Sequence, residues 1–245
     1  MKHLAALIIG VLTVGLLTAT PATAQTSCSP KVTKAWATKT VVVGPTYQVY
    51  MPLRAKTYDE CAPITYLSVS WRRRGHYDFA DLNYLNGEVP TETWGARAAV
   101  DPYLLTNSAT GKHTIDVDWI EDADYNYATD QLNVGSLRLK RAARLGINAY
   151  PEPVRKGQTI TVAGKLRRAN WNLNEWRGYG YRYVKLQFKK AGSSTFVNLK
   201  TVKSRKYGKL KTTVIARRDG TFRWLYLGNG VTGRKASKGD YVNVT

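Results

Sequence analysis

The chain has 245 residues, with 37 Lys and Arg against 17 Asp and Glu, a net charge of +20, two cysteines and three histidines. So few thiols and imidazoles almost exclude a His/Cys metal site, which needs three or four N or S ligands in one place. The length suits two domains of ~100–150 residues, each able to bury its own core.

Lys2 and His3 precede an apolar run from Leu4 to Leu17, and Ala22-Thr23-Ala24 follows as a small-x-small cleavage site. This is the signal-peptide pattern, with an apolar core shorter than the roughly 20 residues that span a bilayer. Cleavage after Ala24 is expected to release a secreted, extracellular protein that starts at Gln25 and keeps no membrane span. Gln25-Thr26-Ser27 lacks the aliphatic residue expected before a lipidated cysteine. An oxidising compartment leaves one pairing, Cys28 with Cys61. Closing that loop of ~30 residues stabilises the fold by about 3–4 kcal/mol in the chain-entropy model.

Helical periodicity is absent, and short β-branched and aromatic runs recur between Gly, Asn, Asp and Pro, the all-β pattern. In the first half, strands are expected over 39–43, 47–53, 64–71, 111–120 and 131–139. Along Thr114 to Trp119, alternation sets Ile115, Val117 and Trp119 on one face and Thr114, Asp116 and Asp118 on the other. In the second half, strands are expected over 143–149, 159–166, 183–189, 196–202, 209–216, 221–226 and 241–244. Tyr207-Gly208 reads as a hairpin turn. Spacings of about 8–12 residues between short strands indicate a β-sandwich.

Charge divides the chain near Lys140. Residues 25–140 carry 12 basic and 13 acidic side chains, a net of −1. Residues 141–245 carry 24 basic and 4 acidic, a net of +20. The expected organisation is a signal peptide over 1–24, a disulfide-bonded sandwich over 25–140 and a strongly basic sandwich over 141–245. A surface that uses one sign of charge attracts anionic polymers, whereas solubility needs only mixed signs.

The run Gly157 to Ala163, then Gly164-Lys165-Leu166-Arg167-Arg168-Ala169-Asn170-Trp171, resembles secreted actinobacterial immunoglobulin-like β-sandwich repeats. Val184 to Lys190, Asp219-Gly220-Thr221-Phe222-Arg223-Trp224 and Gly239-Asp240-Tyr241-Val242 extend that resemblance over roughly residues 145–245. It implies two tandem immunoglobulin-like sandwiches in an extracellular protein, and it brings no catalytic residues.

The binding candidates fall in two stretches. Gly164 to Tyr183 interleaves Arg167, Arg168, Arg177 and Arg182 with Trp171, Trp176, Tyr179 and Tyr181. Guanidinium groups pair bidentately with phosphate or carboxylate, and rings stack on sugars or bases. Trp171, Trp176 and Tyr179 are the ring-stacking candidates, against the plainer reading that the tryptophans cap one end of the sandwich. The second stretch holds Lys200, Lys203, Arg205, Lys206, Lys209 and Lys211, which with Lys185, Lys189 and Lys190 would make one continuous positive face.

Asp122, Asp124, Asn126 and Asp130 follow the 1-3-5-9 spacing of a calcium loop, but Tyr127 and Asn133 replace its Gly and Glu, so no metal is expected. His76 and His113 sit in no nucleophile or metal signature, and no Gly-rich phosphate loop occurs. The sequence therefore points to a non-catalytic binding or envelope-associated protein without cofactor. Its basic domain would engage a cell-wall polymer, acidic polysaccharide or extracellular DNA. Two alternatives remain: a protein partner or inhibited target met through 25–140, and a carbohydrate-binding accessory domain using the three rings.

Overall fold

Pleated chain suits β-branched and aromatic runs separated by turn formers, and the computed structural model, which describes residues 28–245, consists of strands and turns with three single-turn 3-10 segments. The expected signal peptide and its cleavage point lie outside the described residues.

The first half forms β1 (Lys31–Ala37), β2 (Val41–Val43), β3 (Val49–Tyr58), β4 (Ile64–Arg73), β5 (His76–Glu88), β6 (Thr91–Val100), β7 (Gly111–Asp122) and β8 (Tyr127–Arg141). They pair in the order β1-β3-β6-β5-β4-β7-β8-β2. Strand β5 makes the sandwich. Its start pairs with β4 from Arg73↔His76 to Leu67↔Leu82, and its end pairs with β6 from Asn83↔Gly95 to Glu88↔Thr91. One long strand thus leaves one layer and enters the other. Leu53, Leu67, Val69, Trp71, Ile115, Val117 and Leu139 are fully buried between the layers.

The open side closes where β1 runs along β8. Gln131 Oε1 accepts the Val32 N–H at 2.8 Å, and Gly135 passes so close that a Cβ there would stand 2.1 Å from the Ala35 carbonyl oxygen. Strand β2 adds to β8 in parallel, Val41 opposite Leu139. This order, with Trp71 buried near the end of β4, is an immunoglobulin-like arrangement. Aliphatic side chains such as Leu53 and Ile115 fill the space between layers, and the disulfide joins Cys28 to Cys61 at the β3–β4 turn instead.

The second half forms β9 (Ala143–Tyr150), β10 (Thr159–Asn170), β11 (Glu175–Gly178), β12 (Tyr183–Lys190), β13 (Val197–Lys203), β14 (Lys209–Ile215), β15 (Gly220–Tyr226), β16 (Lys235–Ala236) and β17 (Asp240–Val242). One layer holds β9, β10, β14 and β11; the other holds β13, β12, β15, β16 and β17. Val162, Leu166, Val184, Leu186 and Trp224 are buried between them, and Trp224 Nε1 donates to the Ala163 carbonyl at 3.0 Å.

Several expectations need correction. Strands β1, β5 and β6 were not anticipated; β5 is mostly exposed and rich in Asp and Asn, so pairing on both edges holds it rather than its own pattern. Trp119 does not share the core face. Register shifts at Ser68/Val69 and Ile115/Val117 flip the phase, so Ile120 turns inward and Trp119 stacks outside on Tyr127 at 4.7 Å. Tyr207-Gly208 is no hairpin, because β13 and β14 belong to different layers. Gly208 has φ +76, and a Cβ on it would meet the Leu166 carbonyl at 1.9 Å, so only glycine lets the chain cross there.

Candidate functional site

The stretch Gly164 to Tyr183 is a β-hairpin rather than a loop, Arg167 to Asn170 pairing with Glu175 to Gly178. Its tip enters the end of the first sandwich. Trp171, 1% exposed, joins the first core, and its Nε1 donates to the Gly44 carbonyl at 3.0 Å. Asn107 ties the junction: its Oδ1 accepts Arg141 Nη1 at 2.7 Å and the Trp171 N–H at 3.1 Å, while its Nδ2 donates to Asn170 Oδ1 at 2.7 Å. With β8 ending at Arg141 and β9 starting at Ala143, the two sandwiches share hydrogen bonds and a plugged core.

That placement removes rings from the candidate list. Trp171 and Tyr179, 6% exposed, have no face free to stack on a sugar, and Trp176 is half-buried against the first core. Arg168 and Arg182 hold their guanidinium carbons 4.0 and 4.7 Å from the centre of the Tyr179 ring. Arg168 is therefore a packing group, stabilised by the ring's negative face. Beside it, burial and the neighbouring Arg168 charge lower the Arg141 pKa to about 10. Burial alone would raise the Tyr179 hydroxyl, but the hydrogen bond from Asn229, the nearby Thr232 hydroxyl and the two guanidinium groups outweigh it and lower its pKa.

The remaining cations separate by layer. Strand alternation turns Arg144, Lys165, Arg167, Lys209 and Lys211 to the outside of the β9–β10–β14 layer. The register sets Arg167 directly opposite Arg144 and Lys165 directly opposite Lys209. Arg205 and Lys206 lie exposed at the crossover into β14, and Arg177 on β11 is paired with Glu175.

Lys185, Lys189 and Lys203 face outward from the opposite layer. There Lys189 Nζ and the Arg223 guanidinium stand 5.4 and 3.6 Å from the Phe196 ring centre, and Lys203 lies 5.8 Å from Tyr183. Lys200 turns to the seam between layers and donates to the Thr213 carbonyl at 2.7 Å. The single continuous positive face expected from the sequence is therefore two faces pointing opposite ways, because β13 and β14 are not neighbours in one sheet.

Carboxylates do little to neutralise these cations. Among the described residues there are two ion pairs, Arg72–Asp116 and Arg177–Glu175. Asp240 accepts the Ala149 N–H at 2.6 Å and Asp219 the Val244 N–H at 2.7 Å, so both serve backbone.

The sequence-based reading passed over a basic cluster in the first half. Arg72, Arg73, Arg74, Lys112, Thr114 and His76 line a shallow depression at the β4–β5 turn. Beneath it His113 is fully buried, its Nε2 3.2 Å from His76 Nδ1. Burial, then the His76 and Arg73 charges, pushes the His113 pKa down to about 4, and burial lowers His76 as well. The triple arginine beside Gly75 was the available signal.

The candidate calcium loop does not converge. Asp122, 1% exposed, spends Oδ1 on the Asp124 and Asn126 N–H groups at 2.9 and 2.8 Å and Oδ2 on Asn126 Nδ2 at 2.9 Å. Asp124 and Asp130 point to solvent, and among the described residues no three His, Cys, Asp or Glu side chains gather to hold a metal.

No family model and no curated protein matches the chain. Among solved structures it is similar to dimeric latent PorU from Porphyromonas gingivalis, at 15% identity and TM-score 0.33, over 88% of this chain and 20% of that one. It is similar to a tetra-tandem repeat in the extending region of a large adhesion protein, at 14% identity and TM-score 0.31, over 88% and 47%. Fibronectin(III)-like modules of Clostridium thermocellum CbhA match at 8% identity and TM-score 0.32, over 88% and 92%. The chain thus spans about a fifth and about half of the first two proteins.

Proposed function

We propose that this chain is a secreted, non-catalytic binding protein whose second sandwich is held on anionic polymers through the outside of its β9–β10–β14 layer. The observation that carries this reading is the in-register pairing of like charges, Arg144 with Arg167 and Lys165 with Lys209. Like charges directly opposite on a sheet destabilise it, and Glu175, the carboxylate that borders Lys165 and Arg167, is paired with Arg177. A polyanion laid across the strands would relieve the repulsion and release its own counterions. Cell-wall phosphate polymers, acidic polysaccharide and extracellular DNA share the required chemistry.

The test is a salt titration of the full chain on double-stranded DNA and heparin, with neutral dextran as control. Replacing Lys165, Arg167, Lys209 and Lys211 by Gln should make the log–log salt slope on DNA shallower by about 3–4, near 0.9 per phosphate contact. Replacing Lys185, Lys189 and Lys203 on the opposite layer should leave most of the slope. Equal changes for both variants, or none, would remove the assignment of this face.

A second reading, a protein partner for the first sandwich, rests on Tyr77 and Phe79, which stand 57% and 56% exposed on β5 with ring centres 6.3 Å apart. It requires binding that survives high salt and is lost in Tyr77→Ser/Phe79→Ser.

A further inference from the structure

The second sandwich is unsealed on one side. Strand β14 pairs only with β10 and β13 only with β12, so the layers part along the seam between their edges. Lys200 Nζ bonds the Thr213 carbonyl oxygen across it. Beyond that bridge the seam widens into a cleft of about 410 Å³, floored by Phe188, Phe222, Leu199 and Ile215. The two phenylalanine rings stand 4.8 Å apart, centre to centre. Leu199 and Ile215 remain 43% and 54% exposed there, an unusual cost for a strand edge.

The rim has the opposite character. Lys190, Arg217 and Arg218 border the cleft, and past Ile215 it continues into a shallower depression walled by Lys156 and the same three cations. No carboxylate lines either part. The nearest in sequence, Asp219, is occupied with the Val244 N–H.

We propose that this cleft binds a single-tailed alkyl anion, its chain on the Phe188, Phe222, Leu199 and Ile215 floor and its carboxylate or phosphate head among Lys190, Arg217 and Arg218. The volume falls in the range of about 300–1,000 Å³ typical of small-ligand pockets, as does an apolar lining with a few convergent polar groups. An added peptide strand fits less well, because Lys200 already holds the Thr213 carbonyl that such a strand would need. A head with three cations around it gains charge-assisted hydrogen bonds that a neutral alcohol does not. The site shares no side chain with the polyanion face: Ile215 ends β14, beyond Lys209 and Lys211, and lines the cleft with Phe188 and Phe222.

The probes are decanoate and decyl phosphate below their micelle concentrations, with decanol and inorganic phosphate as controls, titrated into the full chain under methyl NMR. Both anions should saturate with one-to-one stoichiometry and shift the Val197, Leu199 and Ile215 methyls. Decanol should bind more weakly by about tenfold or more, and inorganic phosphate should leave those methyls unmoved. Arg217→Gln/Arg218→Gln should weaken the anions by about the same factor and leave decanol unchanged. Ile215→Trp fills the cleft from an exposed position and should abolish binding while circular dichroism stays native. The variant altered at Lys165, Arg167, Lys209 and Lys211 should bind decanoate normally, so failure on either face is separately visible. Equal affinity for decanol, shifts centred elsewhere, binding that survives Ile215→Trp, or a seam-to-seam dimer that decyl phosphate does not disturb would each overturn the proposal.

Discussion

The two sandwiches share an architecture and neutralise charge in opposite ways. In the first, acids nearly match cations, 13 to 12, and four of them, Asp59, Glu92, Asp116 and Asp122, are buried acceptors. Glu92 accepts hydrogen bonds from Trp94 Nε1 at 2.9 Å and the Ile64 N–H at 3.3 Å, and Asp116 accepts from Arg72, Thr114 and the Asn133 N–H. In the second, cations outnumber acids 24 to 4 and meet aromatic rings instead, Tyr179 between two arginines and Phe196 beneath Arg223 and Lys189. A ring stabilises a cation by roughly 0.5–2 kcal/mol without cancelling its charge. The first sandwich therefore ends nearly neutral at its surface, while the second keeps its field for whatever lies outside it.

The junction is where the comparison breaks most sharply. Trp171→Ala should cost about 3–5 kcal/mol, the usual range for a buried tryptophan. Because Trp171 follows directly on β10 but packs in the first core, the loss should fall on the first sandwich and split one cooperative urea transition into two. Trp224→Ala should instead weaken the second sandwich and leave the first transition in place. Reducing the Cys28–Cys61 bridge, which spans 33 residues, comes next at about 3–4 kcal/mol. That loss should appear only in the first transition, as read by near-ultraviolet dichroism with and without dithiothreitol.

What could be read beforehand follows from how local each signal is. The alternation of Val184, Leu186 and Phe188 with lysines needs no distant partner, and neither does the charge division at Lys140. The side of the sandwich on which Lys185 and Lys209 stand is different. It depends on whether the chain turns back or crosses over at Tyr207-Gly208, and the Leu166 carbonyl, some forty residues away, decides that. Asn107 is likewise an unremarkable loop residue until Asn170 and Trp171 arrive from more than sixty positions on. The same distance hid the fate of the tryptophans, whose spacing suits a sugar platform as well as a plug.

Acid should act on the first sandwich before the second. His113 is buried and its folded pKa is about 4, below the ordinary histidine value of 6.5. A folded pKa lower than the unfolded one means that the unfolded chain takes up the proton first. Stability contributed by neutral His113 is thus complete above about pH 6.5 and is lost as pH falls toward 4. Urea midpoints of the first transition should decline across that window. His113→Gln should flatten the decline relative to the parent, and an unchanged slope would show that His113 does not govern it.

The smallest effect concerns the loop once matched to calcium. Asp122 holds its own turn through three hydrogen bonds, so its carboxylate is already spent. A single bond to a charged acceptor contributes about 1.5–3 kcal/mol when lost from a buried site, but Asp124 and Asn126 regain water once released. Asp122→Ala should therefore cost about 1–2 kcal/mol in the first transition. Asp124→Ala, at an exposed position whose side chain holds nothing in the turn, should cost little. Millimolar calcium should move neither the parent's melting temperature nor that of Asp124→Ala, since a cation would have to strip the turn of the acceptor that shapes it. A calcium-dependent rise in the parent that Asp122→Ala abolishes would make this loop a metal site, and the contrast between inward acids and outward cations would then need a third term.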